Sequence, residues 1–320
     1  MAESLQFGHR DDQVLAARGI CKLNSKQKLD LAENGVIIPL FSMLQFKDYE
    51  STEAALYGLL NLAFGTERNK VRIVQSGAIP AVLKVLQWGD ESLLELALAL
   101  LLTLSSCSAN KPKIASSGAV QLLFELLGSG ISYQSKFNCI STLHNLAASI
   151  KTLLSDGLIS LIQLICVSDK SSEIAEKAID LLESLVTSSE TALNQVSEIE
   201  GVIGMLVAAV EDGTAACKEH AVVILVKICK SCRERYRGMI LSEGVVPGLM
   251  QLSVDGNRRA RDMAKALLMM LRDGPDDGES SPSSSARSIL FEEVMRRIDR
   301  GGRAGSSIKM VEAMIAKLRT

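Results

Sequence analysis

Gly77-Ala78-Ile79-Pro80-Ala81-Val82-Leu83-Lys84-Val85-Leu86, then Gln87-Trp88-Gly89-Asp90 and the Leu/Ala-rich run Glu91–Ser106, is the stretch that decides the fold. Val82, Val85 and Leu86 recur at i, i+3 and i+4, which makes one apolar helical face. Pro80 lies in the first turn of that helix, where a missing N–H costs little. Gly77 permits a sharp bend ahead of it. Gly89-Asp90 ends this helix and caps the next. Glu91–Ser106 then reads as a longer helix with one strongly apolar face.

The plan recurs outward in both directions. Gly35, Gly77, Gly118, Gly157, Gly201 and Gly244 each precede an apolar run, at spacings of 42, 41, 39, 44 and 43 residues. Pro39 and Pro247 follow their glycines much as Pro80 does. Helix breaks are expected at Gly128-Ser129-Gly130, Ser168-Asp169, Asp212-Gly213 and Asp255-Gly256. Long helices are expected near 51–64, 91–106, 134–148, 172–187, 215–230 and 258–272. A second landmark follows each glycine by 26 or 27 residues: Asn61, Thr103, Asn145, Ser184, Lys227 and Met270. A partial copy, Asp11–Asn24, opens the chain and contributes Lys22. Self-similarity at this period predicts a stack of helical repeats, which builds extended surfaces for holding other chains.

Aligning the long helices on the landmark exposes three further rows. One position later stand Leu23, Leu62, Leu104, Leu146, Leu185, Ile228 and Leu271; two positions earlier stand Ile20, Leu59, Leu101, Leu143, Leu182, Leu225 and Leu268. Six positions earlier stand Ala16, Ala55, Ala97, Cys139, Ala178, Ala221 and Ala264. Large apolar residues are the expected core, and the small ones let neighbouring helices approach closely.

Composition agrees. Of 320 residues 47% are hydrophobic and only 4% aromatic, which suits helix-on-helix packing. The net charge of −2 gives no sign of nucleic-acid binding. Met1–Gln13 has no apolar h-region, and the apolar window Leu93–Leu104 is too short to span a membrane. The seven cysteines show no disulfide framework, which fits a reducing compartment. A soluble chain of the cytoplasm and/or nucleus is therefore expected. Cys229-x-x-Cys232 has no second pair, and His9, His144 and His220 offer no ligand spacing, so no metal or cofactor is expected. No phosphate-binding glycine loop or nucleophile beside a base is present, and the chain is expected not to be an enzyme.

The residues also carry a resemblance. Gly77–Leu86 resembles the start of the second helix of an armadillo repeat, and Leu59-Leu60-Asn61-Leu62-Ala63 with Asn69-Lys70 resembles the end of the third. Glu243–Leu252 with Arg258–Leu271 is similar to the closing repeat of the armadillo region in plant U-box ubiquitin ligases. This implies an all-α, right-handed superhelical solenoid of six to seven armadillo repeats over residues 1–272. The repeats begin almost at Met1 with no U-box segment ahead of them, so the resemblance implies the substrate-binding half of such ligases rather than their activity. The repeat near Ser149–Gly157 is shortened, leaving its first helix open.

The resemblance further implies that the third, long helices line a concave groove that faces the ligand. The landmark row Lys22, Asn61, Thr103, Asn145, Ser184 and Lys227 then lies in that groove. An asparagine there is expected to grip the backbone of an extended peptide, since an amide both donates and accepts; only Asn61 and Asn145 keep it. Nuclear-import armadillo proteins place Trp four residues earlier, where this chain has Tyr57 and Ser141, which argues against an import receptor. Eight positions before the landmark stand Glu53, Glu95, Phe137, Glu176, Glu219 and Asp262. Their acids read either as a stripe that attracts a basic segment or as first-turn carboxylates that favour the helix dipole.

Past Leu271 the composition changes. Residues 273–287 form an acidic, Ser/Pro-rich linker. Residues 288–320 form a basic amphipathic tail, with eight Lys/Arg against four Asp/Glu counted over 286–320. Such a tail suits a partner or a membrane surface, or the chain's own acidic groove. Arg303-Ala304-Gly305-Ser306 makes Ser306 a candidate phosphosite, where a phosphate would reduce the tail's positive charge. The expected role is a protein-binding scaffold. Substrate recognition for a separate ubiquitin ligase and membrane-surface signalling are the alternatives.

Overall fold

The long helices fall where the repeat frame puts them. In the computed structural model, which describes residues 1–150 and 155–272, they run Tyr49–Ala63, Glu91–Ser105, Tyr133–Leu146, Glu173–Ser188, Ala215–Ser231 and Arg258–Leu271. A shorter helix, Arg10–Gly19, with the 3-10 turn Ile20–Lys22 is the partial opening copy. Residues 273–287, 288–320 and Ser306 lie outside the described residues.

Each long helix starts at a residue whose side chain accepts the backbone N–H three positions on. These caps are Asp48, Asp90, Ser132, Ser172, Thr214 and Asn257, at 2.9–3.2 Å. Each is worth about 1 kcal/mol, because it satisfies an N–H that the helix itself leaves open. Only Asp90 is anticipated above, although all six recur at the repeat period.

Two shorter helices precede each long one except Glu173–Ser188, ahead of which the described residues hold the 3-10 turn Ala147–Ser149 and the single helix Ser155–Val167. Ala78–Leu86 and Glu67–Gln75 are the clearest pair, and among the described residues there is no strand. The corner between them is made by glycine. Gly35, Gly77, Gly118, Gly201 and Gly244 take φ between +78° and +87°, a left-handed conformation that L side chains disfavour. A Cβ on Gly118 would meet nothing within 4 Å, so the cost of Gly118→Ala is conformational alone. We expect it to lower stability by about 1 kcal/mol, read as a lower urea midpoint at unchanged slope.

Gly157 differs from the other five glycines. It makes no corner but lies inside the helix Ser155–Val167, where a Cβ would come within 2.9 Å of the Phe124 ring. Its absent side chain admits Phe124, and its place in the glycine period is a matter of close packing rather than backbone bend.

The chain divides into two compact units, Met1–Leu164 and a second from Ile165. In the first, Arg10–Gly19, Tyr49–Ala63, Glu91–Ser105 and Tyr133–Leu146 pack in series; in the second, Glu173–Ser188, Ala215–Ser231 and Arg258–Leu271 do so. The rows read from the sequence form the core. Ile20, Leu59, Leu101, Leu143, Leu182, Leu225 and Leu268 are all fully buried, and so is the small-residue row from Ala55 to Ala264. Leu23 alone among the large apolar positions is only half-buried, because its helix has already closed in the 3-10 turn.

All seven cysteines are free. Burial pushes the Cys139 thiol up to about 12 and raises Cys217 and Cys229 as well. Cys232 is exposed while Cys229 is buried, so the Cys-x-x-Cys spacing does not present a pair to one surface. No single described helix is long and apolar enough to cross a membrane.

Candidate functional site on the exposed face of the long helices

The landmark positions share one register on the long helices, partly open to solvent. Lys22 is exposed; Asn61, Thr103, Asn145, Ser184 and Lys227 are half-buried. The polar groups of Asn61, Thr103 and Asn145 have internal partners. Asn61 Nδ2 donates to the Tyr57 carbonyl at 2.9 Å, and Thr103 Oγ1 to the Ala99 carbonyl at 2.9 Å. Asn145 Nδ2 reaches across to Ser105 Oγ on the neighbouring long helix at 3.0 Å. An amide carries two N–H and one C=O, so these bonds orient each asparagine without using its whole capacity.

The acidic row differs from the reading as first-turn carboxylates. Glu53, Glu95 and Glu219 are each the fifth residue of their helix, and only Glu176 lies within a first turn. The dipole effect fades beyond that turn. Instead, most of the row is tied to neighbouring repeats. Glu176 accepts from Thr214 Oγ1 at 2.9 Å. Glu219 accepts from Asn257 Nδ2, and from Arg259 Nη1 at 2.8 Å. Thr214 and Asn257 are the caps of the next long helices, each 38 residues on, so one side chain both starts a helix and clasps the previous one. Glu53 instead pairs backwards with Arg18 at 3.1 Å and accepts from the Tyr49 hydroxyl at 3.3 Å.

In the second unit these ties merge into one charged cluster spanning three long helices. Glu183, only 8% exposed, accepts from Arg259 and contacts His220 Nδ1 at 2.7 Å. Asp180 lies 3.8 Å from the same nitrogen. The bond to Glu183 raises His220 above its ordinary value, against the lowering effect of burial, and the charges of Asp180, Glu183 and Glu219 add to the rise. Burial would push the Glu219 carboxyl up, but the bonds from Asn257 and Arg259 outweigh it and hold it below its ordinary value. In the first unit Asp48 is lowered to about 2, first by the bond from Arg10 and then by Ser51. The sequence reading gives no tie between repeats to Arg18, His220, Glu183 or Arg259. The constant offset of 38 from Glu176 to Thr214 and from Glu219 to Asn257 was a legible sign of such ties.

The two units differ in what they leave uncommitted. In the second, no Phe, Tyr or Trp occurs on the long helices, and Glu176, Glu183 and Glu219 have partners. In the first, Tyr49, Tyr57 and Tyr133 are exposed, and Phe137 is half-buried. Glu95, half-buried on the helix Glu91–Ser105, has no hydrogen-bond or ion-pair partner among the described residues. Ser141, four positions before Asn145, is half-buried beside them. Among the described residues no group of three or more His, Cys, Asp or Glu side chains is disposed to hold a metal ion.

No family model matches the chain. Among curated proteins it is similar to U-box domain-containing protein 45 of Arabidopsis thaliana, 29% identical over 270 residues that cover 80% of this chain and 34% of that protein. The chain thus spans about a third of the length of this relative. Among solved structures it is similar to an engineered protein from a structural-genomics programme, with a TM-score of 0.75 and 19% identity over 100% of this chain and 77% of that one. A chain from a structure concerned with a phosphorylation switch in the cadherin and beta-catenin interaction gives a TM-score of 0.75 at 16% identity, over 94% of this chain and 62% of that one. The glycine-cornered three-helix repeat and these likenesses agree: the chain is an armadillo-repeat solenoid, and its sequence resembles the plant U-box domain-containing proteins over its repeats.

Proposed function

We propose that this chain is a non-enzymatic scaffold or adaptor that holds one or more protein ligands, through an extended or basic segment, along the exposed face of its long helices. The observation that carries this is the uncommitted surface of the first unit, where Tyr57 and Tyr133 stand 44% and 56% exposed in register with Glu95. Aromatic side chains are enriched where proteins meet, and a stack of repeats offers an extended face rather than a closed reaction pocket. Ser141→Arg would place a long cation on that face without touching the buried rows. We expect it to weaken partner capture from the native cell about tenfold, measured by quantitative co-purification, with the unfolding midpoint unchanged. Equal capture by wild type and Ser141→Arg would overturn the assignment of this face. We place this activity in the cytoplasm and/or nucleus, to be checked by fractionation.

A second reading is favoured by the similarity to a U-box domain-containing protein. Here the repeats supply substrate recognition to a separate catalytic chain. It requires that the protein co-purify with a U-box or RING protein and raise ubiquitin transfer to the captured partner in a reconstituted mixture. Capture with no such association leaves the scaffold reading in its simpler form.

A further inference from the structure

We infer that the short helices at the start of the chain form a receptor cleft for a chain end, a free α-carboxylate whose last residue carries an apolar side chain. The cleft lies apart from the face proposed above, and its occupant is a second kind of ligand.

The short helices of successive repeats stack, Ser25–Glu33 on Glu67–Gln75 and Ile37–Met43 on Ala78–Leu86. Among them opens a cleft of about 330 Å³ whose walls include Glu33, Ile37, Ile38, Arg72, Gln75 and Ser76. No lining residue belongs to a long helix. That volume is at the small end for ligand pockets, so it suits one residue rather than an extended segment.

Arg72 is short of an acceptor. Its Nη2 donates to Glu33 Oε1 at 2.8 Å, while Nη1 is shielded from water and has no partner among the described residues. A buried N–H left open in this way is unfavourable. Arg68 Nη1 approaches the same Glu33 oxygen at 3.9 Å, so two arginines share one carboxylate and the three charges leave a positive excess. The side chains of Gln75 and Ser76 have no partner among the described residues either. At the next corner Ser117, which precedes Gly118 as Ser76 precedes Gly77, donates its hydroxyl to the Ile114 carbonyl at 2.7 Å. The cleft therefore offers side-chain donors from three residues, and its one carboxylate is already in use. Such a set favours an anionic oxygen from outside the chain.

The apolar wall decides which anion. Ile37 is buried, but Ile38 is 57% exposed. A chain end carries a carboxylate and a side chain on one carbon, so it meets the donors and Ile38 together. A phosphate would satisfy the donors and leave Ile38 bare. An internal Asp or Glu would bring chain on both sides into a space for one residue. The set is not repeated: 41 or 42 residues on, Gln75 stands for Glu33, Pro80 for Ile38 and Lys113 for Arg72.

The test uses the full chain and a fluorescently labelled hexapeptide that ends in leucine with a free carboxylate, read by anisotropy. We expect its C-terminal amide to bind at least about tenfold more weakly, and an amide with an internal glutamate to be no better. The free acid ending in glycine should bind a few-fold more weakly than the leucine peptide. Arg72→Gln should lose about tenfold. Glu33→Gln should bind a few-fold more tightly, because it removes a like charge and frees Arg72 Nη2; a pair that served stability alone would give no such gain. Lys113→Gln should change nothing, and Ser141→Arg should leave peptide binding intact, which separates this cleft from the long-helix face. Equal binding of acid and amide, undiminished binding by Arg72→Gln, weaker binding by Glu33→Gln, or no binding by wild type would each overturn the inference.

Discussion

Glu183→Ala is expected to destabilise the second unit by about 3 kcal/mol, close to the low end for breaking a buried ion pair because Arg259 is half in solvent. Glu183 is buried and receives both Arg259 and His220. Removing it leaves two donors from two successive repeats without their shared acceptor, and Asp180 and Glu219 only partly replace it. Chemical denaturation should show the loss as a lower midpoint. A change below about 0.5 kcal/mol would mean that the cluster is a solvated surface feature.

The same cluster fixes a pH dependence and its sign. His220 is raised above its ordinary value by the bond to Glu183. A group whose pKa is higher in the folded than in the unfolded chain stabilises the fold fully below the unfolded value, about 6.5 for histidine. That stability is lost as pH rises through the folded value. The groups facing it are Asp180 and Glu183 on one neighbouring helix, Glu219 on its own and Arg259 beyond. The midpoint of wild type should therefore fall with rising pH above about 6.5, relative to His220→Gln. Glu183→Ala should flatten the difference. A midpoint that rises over the same window would refute the assignment.

Asn110→Ala is expected to cost about 1–2 kcal/mol, because it removes a buried donor shared by two backbone carbonyls. Asn110 is 1% exposed, and its Nδ2 donates to the Leu104 and Lys70 carbonyls, both at 3.1 Å. Leu104 O is one of the last carbonyls of a long helix, which have no acceptor role inside the helix. The sharp turn into the next repeat carries it away from water, and the asparagine serves it. Asn69 does the same 41 residues earlier, donating to Leu62 O at 2.9 Å and Lys28 O at 3.4 Å. Asn110→Asp should be worse than Asn110→Ala, since a carboxylate would face two carbonyls. If Asp were the milder change, the donor role assigned to the amide would be wrong.

These two effects show where sequence reading was enough and where it was not. Asn69-Lys70 enters the sequence reading, and Asn110-Lys111 repeats it 41 residues on. Their acceptors were not legible, because a carbonyl's need depends on how the chain turns after Leu62 or Leu104. Asn61 and Asn145 were expected to act alike, but one bonds back to its own helix and the other crosses to Ser105. The difference lies in what the preceding repeat offers, since the counterpart of Ser105 ahead of Asn61 is Asn24, whose side chain is used to cap the helix Ser25–Glu33.

What the sequence by itself determined was everything that follows from local geometry. The 3.6-residue period placed the long helices within a few residues, because an apolar stripe forms wherever that period is kept. The same register named the buried leucine row and the small-residue row, and glycine marked five corners because only it takes φ near +80° at little cost. The tertiary structure alone decided which carboxylates are already paired, why Gly157 gives way to Phe124, and that Glu95 has no partner among the described residues. The reason is distance: a side-chain partner some 40 residues away is chosen by how one repeat stacks on the next, and that stacking comes from the packed volumes of the whole core.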